Sequence, residues 1–261
     1  MALYETARIL TGFIMSRIVE KAHMLHQPNA FLAALPPSEL QFMRNFLRPM
    51  TLNIRERLHR FGEEIEQVIF PSSGVVTTRG ILRNGPAPIS ALIGRDGIVG
   101  GLAATAAVGS MFDADVSISW IGLRISATDY RKLLEARPPI RHLAARFEAA
   151  LVAQIMQFGA CNAVHKVENR LCRLLLVFQD CVGGSGRLHL TQSDLGGMLG
   201  VRRTTITLLA GRLEACGAIL SRHGSVEVLR RDELEARSCG CEAQIRTFRS
   251  TLFSGPSSAL H

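Results

Sequence analysis

Cysteine is missing from the first 160 residues. All six, Cys161, Cys172, Cys181, Cys216, Cys239 and Cys241, fall in the C-terminal part of a 261-residue chain. A disulfide framework belongs to short secreted chains, so these thiols are expected to be reduced. No uninterrupted run of about 18 apolar residues occurs, and a membrane-spanning helix needs that length. Glu5, Arg8, Arg17, Glu20 and Lys21 break up the first 24 residues and argue against a signal peptide. The expectation is a cytoplasmic protein without a membrane partner. There is also no P-loop, no Gly-x-Ser-x-Gly, no His-Glu-x-x-His and no dinucleotide fingerprint, so an enzyme is not expected.

What is present is positive charge: a formal +8 and a pI of about 9.7, with 47% apolar residues. The apolar content fits globular packing. The charge favours a polyanionic partner, and DNA, RNA and anionic membrane all satisfy that. At roughly 100–200 residues per domain, the length suggests two domains.

Ile9, Phe13, Ile14, Arg17 and Ile18 form a mostly apolar helical stripe near the start. It reads as a packing arm, with a membrane-surface helix as the alternative, and Pro28 breaks it. From Pro49 to Asp129 short Val-, Ile- and Thr-rich runs alternate with turn signals. The runs are Gln67–Phe70, Gly74–Arg79, Ile89–Ile93, Ile98–Gly100 and Val116–Ile125, and Asn84-Gly85-Pro86 is one of the turns. This texture predicts a β-barrel or sandwich. Pro138-Pro139 opens a long helix with Ile140, Leu143, Ala144, Phe147, Leu151, Ile155 and Phe158 at three- and four-residue steps. That stripe can lie on its own barrel or on a second copy, and pairing with a second copy is expected. A break is expected near Cys161-Asn162, then a second helix from about Val164 to Val182, closed by the flexible Gly183-Gly184-Ser185-Gly186.

Residues 187–231 are the most informative. Leu188–Leu190 reads as a strand, and Thr191 as the cap of a helix whose buried face carries Leu195 and Leu199. Gly196 leaves room for a close approach, and Gly200 permits a left-handed turn. A second helix from about Arg202 to Cys216 turns Ile206, Leu209 and Leu213 inward. Two such helices joined by a glycine turn form a helix-turn-helix. Ala218–Ser221 and Ser225–Leu229 read as a wing around Arg222-His223-Gly224. A helix fits the major groove, where arginine can donate twice to guanine. Arg203, with Thr204, Thr207 and Leu208, is therefore expected to read bases. Thr191, Gln192, Arg202 and Thr205 are expected to hold phosphates. Seven arginines against three acids between Ser185 and Arg231 support this.

The segment LTQSDLGGMLGVRRTTITLLAGRLEACGAI resembles the DNA-binding signature of the Crp/Fnr family of bacterial transcription regulators. LHRFGEEIEQVIFPSSGVV resembles the start of that family's cyclic-nucleotide-binding-type β-roll, and Leu35-Pro36-Pro37-Ser38-Glu39-Leu40 its lead-in helix. The resemblance implies an α+β fold: an N-terminal, jelly-roll-like β-roll sensor domain, a long dimerisation helix and a C-terminal winged helix-turn-helix. It covers about Phe31 to Leu234 and places the β-roll at 31–137, the dimerisation helix at 138–163 and the winged helix-turn-helix at 164–237; the residues themselves read as a helical extension at 1–30 and a flexible tail at 238–261. It further implies a homodimer on a palindromic operator in double-stranded DNA, with RNA polymerase as a partner.

The departures are as informative. Gly94-Arg95-Asp96-Gly97-Ile98-Val99-Gly100-Gly101 resembles the family's phosphate cassette, with Gly97, Gly100 and Gly101 in a degenerate effector site. Gly101 stands where cyclic-nucleotide-binding members carry glutamate, and no Lys or Arg occurs from Leu102 to Leu123. A cyclic phosphate would lack a fixed cation there, so cyclic AMP is not expected as effector. The N-terminal cysteines of the iron–sulfur branch are absent. His23, His26, His59 and His142 leave haem open but read as ordinary histidines. Many members place glutamate and arginine where this chain has Thr204 and Leu208, so the operator need not follow theirs. Cys216, Cys239 and Cys241 can form a thiol pair or part of a metal site; tail cysteines without a metal are expected, and no cofactor. The competing reading is a degenerate sensor or protein-interaction module that no longer binds DNA.

Overall fold

The computed structural model describes residues 29–83, 87–182 and 187–253. The N-terminal extension, the Asn84-Gly85-Pro86 turn, the Gly183–Gly186 turn and residues 254–261 of the tail lie outside them. Described elements begin with α1 (Ala30–Ala34) and α2 (Pro37–Arg44). Asn29 starts α1: its Oδ1 accepts from Phe31 N at 3.0 Å. Its Nδ2 donates to Pro71 O and Gly97 O, both at 2.9 Å, which pins the lead-in to the sheet behind it.

Seven strands follow: β1 (Arg48–Leu52), β2 (Arg57–His59), β3 (Gln67–Pro71), β4 (Val75–Arg79), β5 (Ile89–Ile93), β6 (Asp113–Ile118) and β7 (Trp120–Ser126). They form two antiparallel sheets, ordered β1-β7-β3 and β2-β6-β4-β5. Ile69, Val76, Ile93, Val99, Phe112, Ala114 and Val116 fill the space between them. The expected β domain is therefore present as a roll. Two of the expected runs differ in detail. Ile98–Gly100 makes only a single bridge, Val99 to Ile69, because the chain turns there into α3 (Gly101–Ala106). Val116–Ile125 is split between β6 and β7. Strands β1 and β2 escaped the sequence pattern because they lie at sheet edges, where each has only one buried residue, Leu52 and His59.

Ser126 caps α4 (Ala127–Ala136), its Oγ accepting from Asp129 N at 3.0 Å. Next comes α5 (Pro138–Val164), 27 residues and so about 40 Å long. The expected break at Cys161-Asn162 is corrected. The helix continues to Val164, since neither residue removes a backbone donor. The chain extends instead at His165 and Lys166, before α6 (Val167–Cys181). The expected pairing stripe is corrected as well. Ile140, Ala144, Phe147 and Phe158 are buried within this chain, the first three against the roll and Phe158 against α6 and the C-terminal domain. A second row on α5, Ala145, Ala149, Val152, Met156 and Gly159, runs at the same three-four spacing and faces away from the core. Met156 is 70% exposed and Val152 42%.

The C-terminal domain holds β8 (Arg187–Leu188), α7 (Gln192–Leu199), α8 (Arg203–Ala215), β9 (Ile219–Arg222), β10 (Ser225–Val228) and α9 (Arg231–Arg237). Strands β8, β10 and β9 form one small sheet. Leu171, Leu174, Leu175 and Phe178 of α6 share a core with Leu195, Leu199, Ile206, Leu209 and Leu213, joined by Val75, Ile89 and Leu92 of the roll. The domain thus docks on the β4–β5 edge. The expected flexible tail is corrected between Cys241 and Phe253. That stretch is helix α10, packed along α5, and Ile245 is 3% exposed.

Candidate nucleic-acid interface

Helix α7 begins with a capping box. Thr191 Oγ1 accepts from Asp194 N at 3.0 Å, and Asp194 Oδ2 accepts from Thr191 N at 2.9 Å. Two orphan donors of the first turn are thereby satisfied. Gly200 ends the helix at φ +66°, and Val201 N donates back to Gly196 O at 2.9 Å. Gly196 is needed at this corner: a Cβ there would stand 3.0 Å from Val201 O and 3.5 Å from Arg203 N. The turn re-aims the chain so that α8 lies across α7 and buries Ile206, Leu209, Ala210 and Leu213.

The opposite face of α8 is open. Arg203, Thr204, Thr207 and Leu208, the expected base readers, are all exposed and share that face, with Leu208 at 59%. Of the expected phosphate contacts, Arg202 is exposed beside them, while Thr191, Gln192 and Thr205 are half-buried at the helix starts. Thr191's hydroxyl is occupied by the cap, so its offer to a phosphate is limited to the helix N-terminus it organises. The arginines divide into two sets. Arg212 pairs with Glu168 at 3.9 Å, Arg230 with Asp232 and Glu233, and Arg231 with Asp180 and Glu235. Arg202 and Arg203 on α8, and Arg222 on the wing, are exposed and have no carboxylate partner among the described residues. Within residues 187–231, Arg202 and Arg203 at the start of α8, Arg222 on the wing and Arg187 on β8 thus have no carboxylate partner among the described residues, whereas Arg212, near the other end of α8, and Arg230 and Arg231, just after the wing, are held by carboxylates.

The degenerate cassette folds as a turn into α3. Gly100 adopts φ +80°, and a Cβ there would meet Gln67 O at 3.1 Å and His59 Nε2 at 3.2 Å. A side chain at Gly101 would run into Ile98 at 3.0 Å and then the Tyr130 hydroxyl at 3.6 Å. Between the cassette and α5, the space bordered by Ile93, Gly97, Phe147 and Leu151 amounts to about 10 Å³. That is room for one water at most. An open groove of about 490 Å³ lies at the other side of the roll, bordered by His59, Glu63, Glu64 and Glu66 among others. Burial pushes the His59 imidazole below the usual histidine range, with Glu63 opposing. His59 and His142 stand on separate elements, and His23 and His26 are outside the described residues. Two hydrogen bonds tie the roll to α5: Leu92 N donates to Gln154 Oε1 at 3.1 Å, and the Thr105 hydroxyl donates to Glu148 Oε1 at 2.7 Å.

The cysteines resolve differently from the sequence reading. Cys216 stands alone, its Sγ 3.3 Å from Leu213 O. Cys239 and Cys241 meet Cys161 and His165 instead, a grouping that spacing along the chain could not reveal.

Residues 169–237 match the model of the Crp-like helix-turn-helix domain. No curated protein matches by sequence. Among solved structures, FixK2 from Bradyrhizobium japonicum is 15% identical with a TM-score of 0.61, covering 74% of this chain and 98% of that one. A putative Crp/Fnr-family regulator from Eubacterium rectale is 14% identical with a TM-score of 0.63, covering 78% and 94%. The c-di-GMP-responsive regulator CLP from Xanthomonas campestris is 14% identical with a TM-score of 0.61, covering 74% and 99%. Identities this low carry the fold and leave ligand and operator open. None of the described helices is long and apolar enough to cross a membrane.

Proposed function

We propose that this chain, a regulator of the Crp/Fnr type by its helix-turn-helix domain and its fold, binds a palindromic operator as a homodimer and inserts α8 into successive major grooves. The observation that carries the proposal is the sorting of arginines: Arg202 and Arg203 at the start of α8 and Arg222 on the wing have no carboxylate partner among the described residues, while Arg212 in the last turn of α8 and Arg230 and Arg231 after the wing are tied to carboxylates. Arg203 reads a base, with Thr204 and Leu208 against thymine methyls. Arg202 and the α7 N-terminus hold phosphates. The outward row Ala145-Ala149-Val152-Met156-Gly159 supplies the pairing face, its small residues allowing two copies of α5 to approach closely.

The effector is not cyclic AMP in this reading. The space of about 10 Å³ bordered by Gly97, Phe147 and Leu151 is far too small for a nucleotide, and the groove of about 490 Å³ beside His59 presents glutamates, which repel phosphate. A signal, if one acts, reaches α5 through Gln154 and Glu148, and it shifts the helix only by favouring one arrangement over the other. RNA polymerase is the partner such a regulator would recruit or block.

The test is selection of duplex sites from a random pool, followed by gel shifts over a salt series and sedimentation of the free protein. A recovered inverted repeat, two chains per site and a steep loss of affinity with salt are the expected results. A monomer that ignores every duplex at low salt would sink the proposal and favour a protein-interaction module.

A further inference from the structure

Four metal-ligating side chains from three separate segments meet outside the DNA-binding face. Cys161 sits near the end of α5, and His165 lies in the extended break after it. Cys239 and Cys241 flank Gly240 at the start of α10. Their ligand atoms all lie within 4.8 Å of one another, and Cys241 Sγ is 3.8 Å from His165 Nδ1. Gly240, at φ +68°, makes the reversal that lets both neighbouring thiols face one centre. Cys161 and Cys241 are buried, and the other two are half-buried.

The donor set is selective. Three thiolates and an imidazole suit a soft or borderline divalent ion, zinc above all, and tetrahedral bonds of about 2.3 Å to sulfur place ligands roughly 3.8 Å apart. Small side-chain shifts bring these four atoms to that spacing. A multi-iron cluster holds its cysteines further apart, because several irons and sulfides stand between them. The surrounding charge agrees. A dication with three thiolates has one net negative charge. Arg173 Nη1 stands 3.3 Å from Cys161 Sγ, with its guanidinium stacked 4.1 Å over Phe158. Arg170 Nη1 donates to Asn162 Oδ1 at 2.7 Å, one residue along. Both arginines are buried, at 2% and 7% exposure, and neither meets a carboxylate among the described residues. Two adjacent buried cations are costly unless an anion lies between them, and an anionic metal–thiolate centre would be that anion. Gln157 Nε2, 3.4 Å from Cys161 Sγ, completes an outer shell.

We infer that Cys161, His165, Cys239 and Cys241 bind one zinc-class divalent ion, which clamps the hinge between the long helix and the DNA-binding domain. The location gives the clamp its lever. His165 and Lys166 are the extended link between α5 and α6, and the Cys-Gly-Cys turn directly follows the last helix of the winged domain. That helix end is already held to α6, since Asn169 Nδ2 donates to Arg237 O at 2.6 Å. An ion at the four ligands would join both ends of the domain to the end of α5.

The experiment uses the full chain, purified under reducing, oxygen-free conditions. Elemental analysis should find one zinc per chain. The apo-protein titrated with cobalt(II) should develop thiolate-to-cobalt charge transfer and the intense visible bands of a tetrahedral ion, both bleached by zinc. Cys239→Ser and His165→Gln should each weaken cobalt binding by at least roughly tenfold, and Cys216→Ser should leave it unchanged. Cys239 is half-buried, so its serine variant is expected to fold, and circular dichroism checks that. Trypsin should cut after Lys166 at least about tenfold faster once the ion is removed. No cobalt uptake, an octahedral spectrum, unchanged binding in Cys239→Ser, iron with acid-labile sulfide, or equal cleavage rates would overturn the inference. None of these readouts involves DNA, so they stand or fall apart from the operator-binding proposal.

Discussion

The Thr207 hydroxyl donates to Gln192 Oε1 at 2.6 Å, so the second helix of the helix-turn-helix is tied to the first turn of the helix before it, 15 residues away. The bond consumes the hydroxyl of an expected base reader and leaves Gln192 its amide N–H donors for a phosphate. Thr207→Val keeps the shape and removes the bond. Because the site is exposed, stability should fall by about 1 kcal/mol or less. DNA affinity should fall several-fold and uniformly across operator variants, as expected when a phosphate contact is loosened. A gel-shift series with single base-pair changes checks this, and a loss confined to one base pair would return the hydroxyl to base reading.

Arg203 and Arg202 are neighbours with different expected signatures. Arg203→Ala should relax discrimination at one base pair by about 1–3 kcal/mol. Arg202→Ala should weaken all sequences alike and reduce the salt slope by about one. Competition binding across a salt series separates the two. Equal behaviour of the pair would mean that α8 enters the groove at a different angle.

The capping box makes Thr191 a stability residue as well as a proposed phosphate contact. Thr191→Ala removes the hydroxyl that accepts from Asp194 N and donates to Asp194 Oδ2, leaves the bond from Thr191 N in place, and should cost about 1 kcal/mol. Thermal melts of the free protein measure it. Thr191→Ser, which keeps the acceptor, should recover most of the loss.

The helix-turn-helix was legible because its determinants are local. A cap, two apolar periods and a glycine corner lie within 30 residues, and the face left over after burying Leu195, Ile206, Leu209 and Leu213 is fixed by helical geometry. The long helix was legible in extent but not in allegiance. It is apolar on several faces, so its sequence names a stripe without saying whether roll or second copy covers it, and Ile140 and Phe147 turn out to belong to the roll. Cys241 and His165 are 76 residues apart, and only the packing of α10 along α5 brings them together. Strands β1 and β2 stayed hidden because edge strands need little apolar patterning.

The outward row on α5 predicts which residues control assembly. Met156→Glu puts a charge where two copies would meet, in a side chain that is 70% exposed in the single chain. The protomer should keep its fold, because the side chain is exposed in the single chain, and circular dichroism checks that. Sedimentation should shift from dimer to monomer, and operator affinity should drop by at least about 100-fold because the two half-sites are no longer linked. A dimeric Met156→Glu protein would place the pairing face elsewhere.

His59 supplies a pH dependence whose sign follows from its surroundings. Its ring is 7% exposed, Nε2 faces Gly100 without a hydrogen-bond partner, and burial depresses its pKa, with Glu63 only partly offsetting this. In the unfolded chain the same ring titrates near the ordinary value of about 6.5. Between the depressed folded value and that ordinary one, the unfolded chain binds more protons, so stability rises with pH there. The contribution is complete above about pH 7 and is lost as pH falls through 6.5 toward the folded value, with a slope of at most about 1.4 kcal/mol per pH unit. Denaturant midpoints measured from pH 7.5 to 5 should show this decline, and His59→Gln should flatten it even if it lowers stability overall. A decline of unchanged steepness in that variant would assign the proton uptake to other groups.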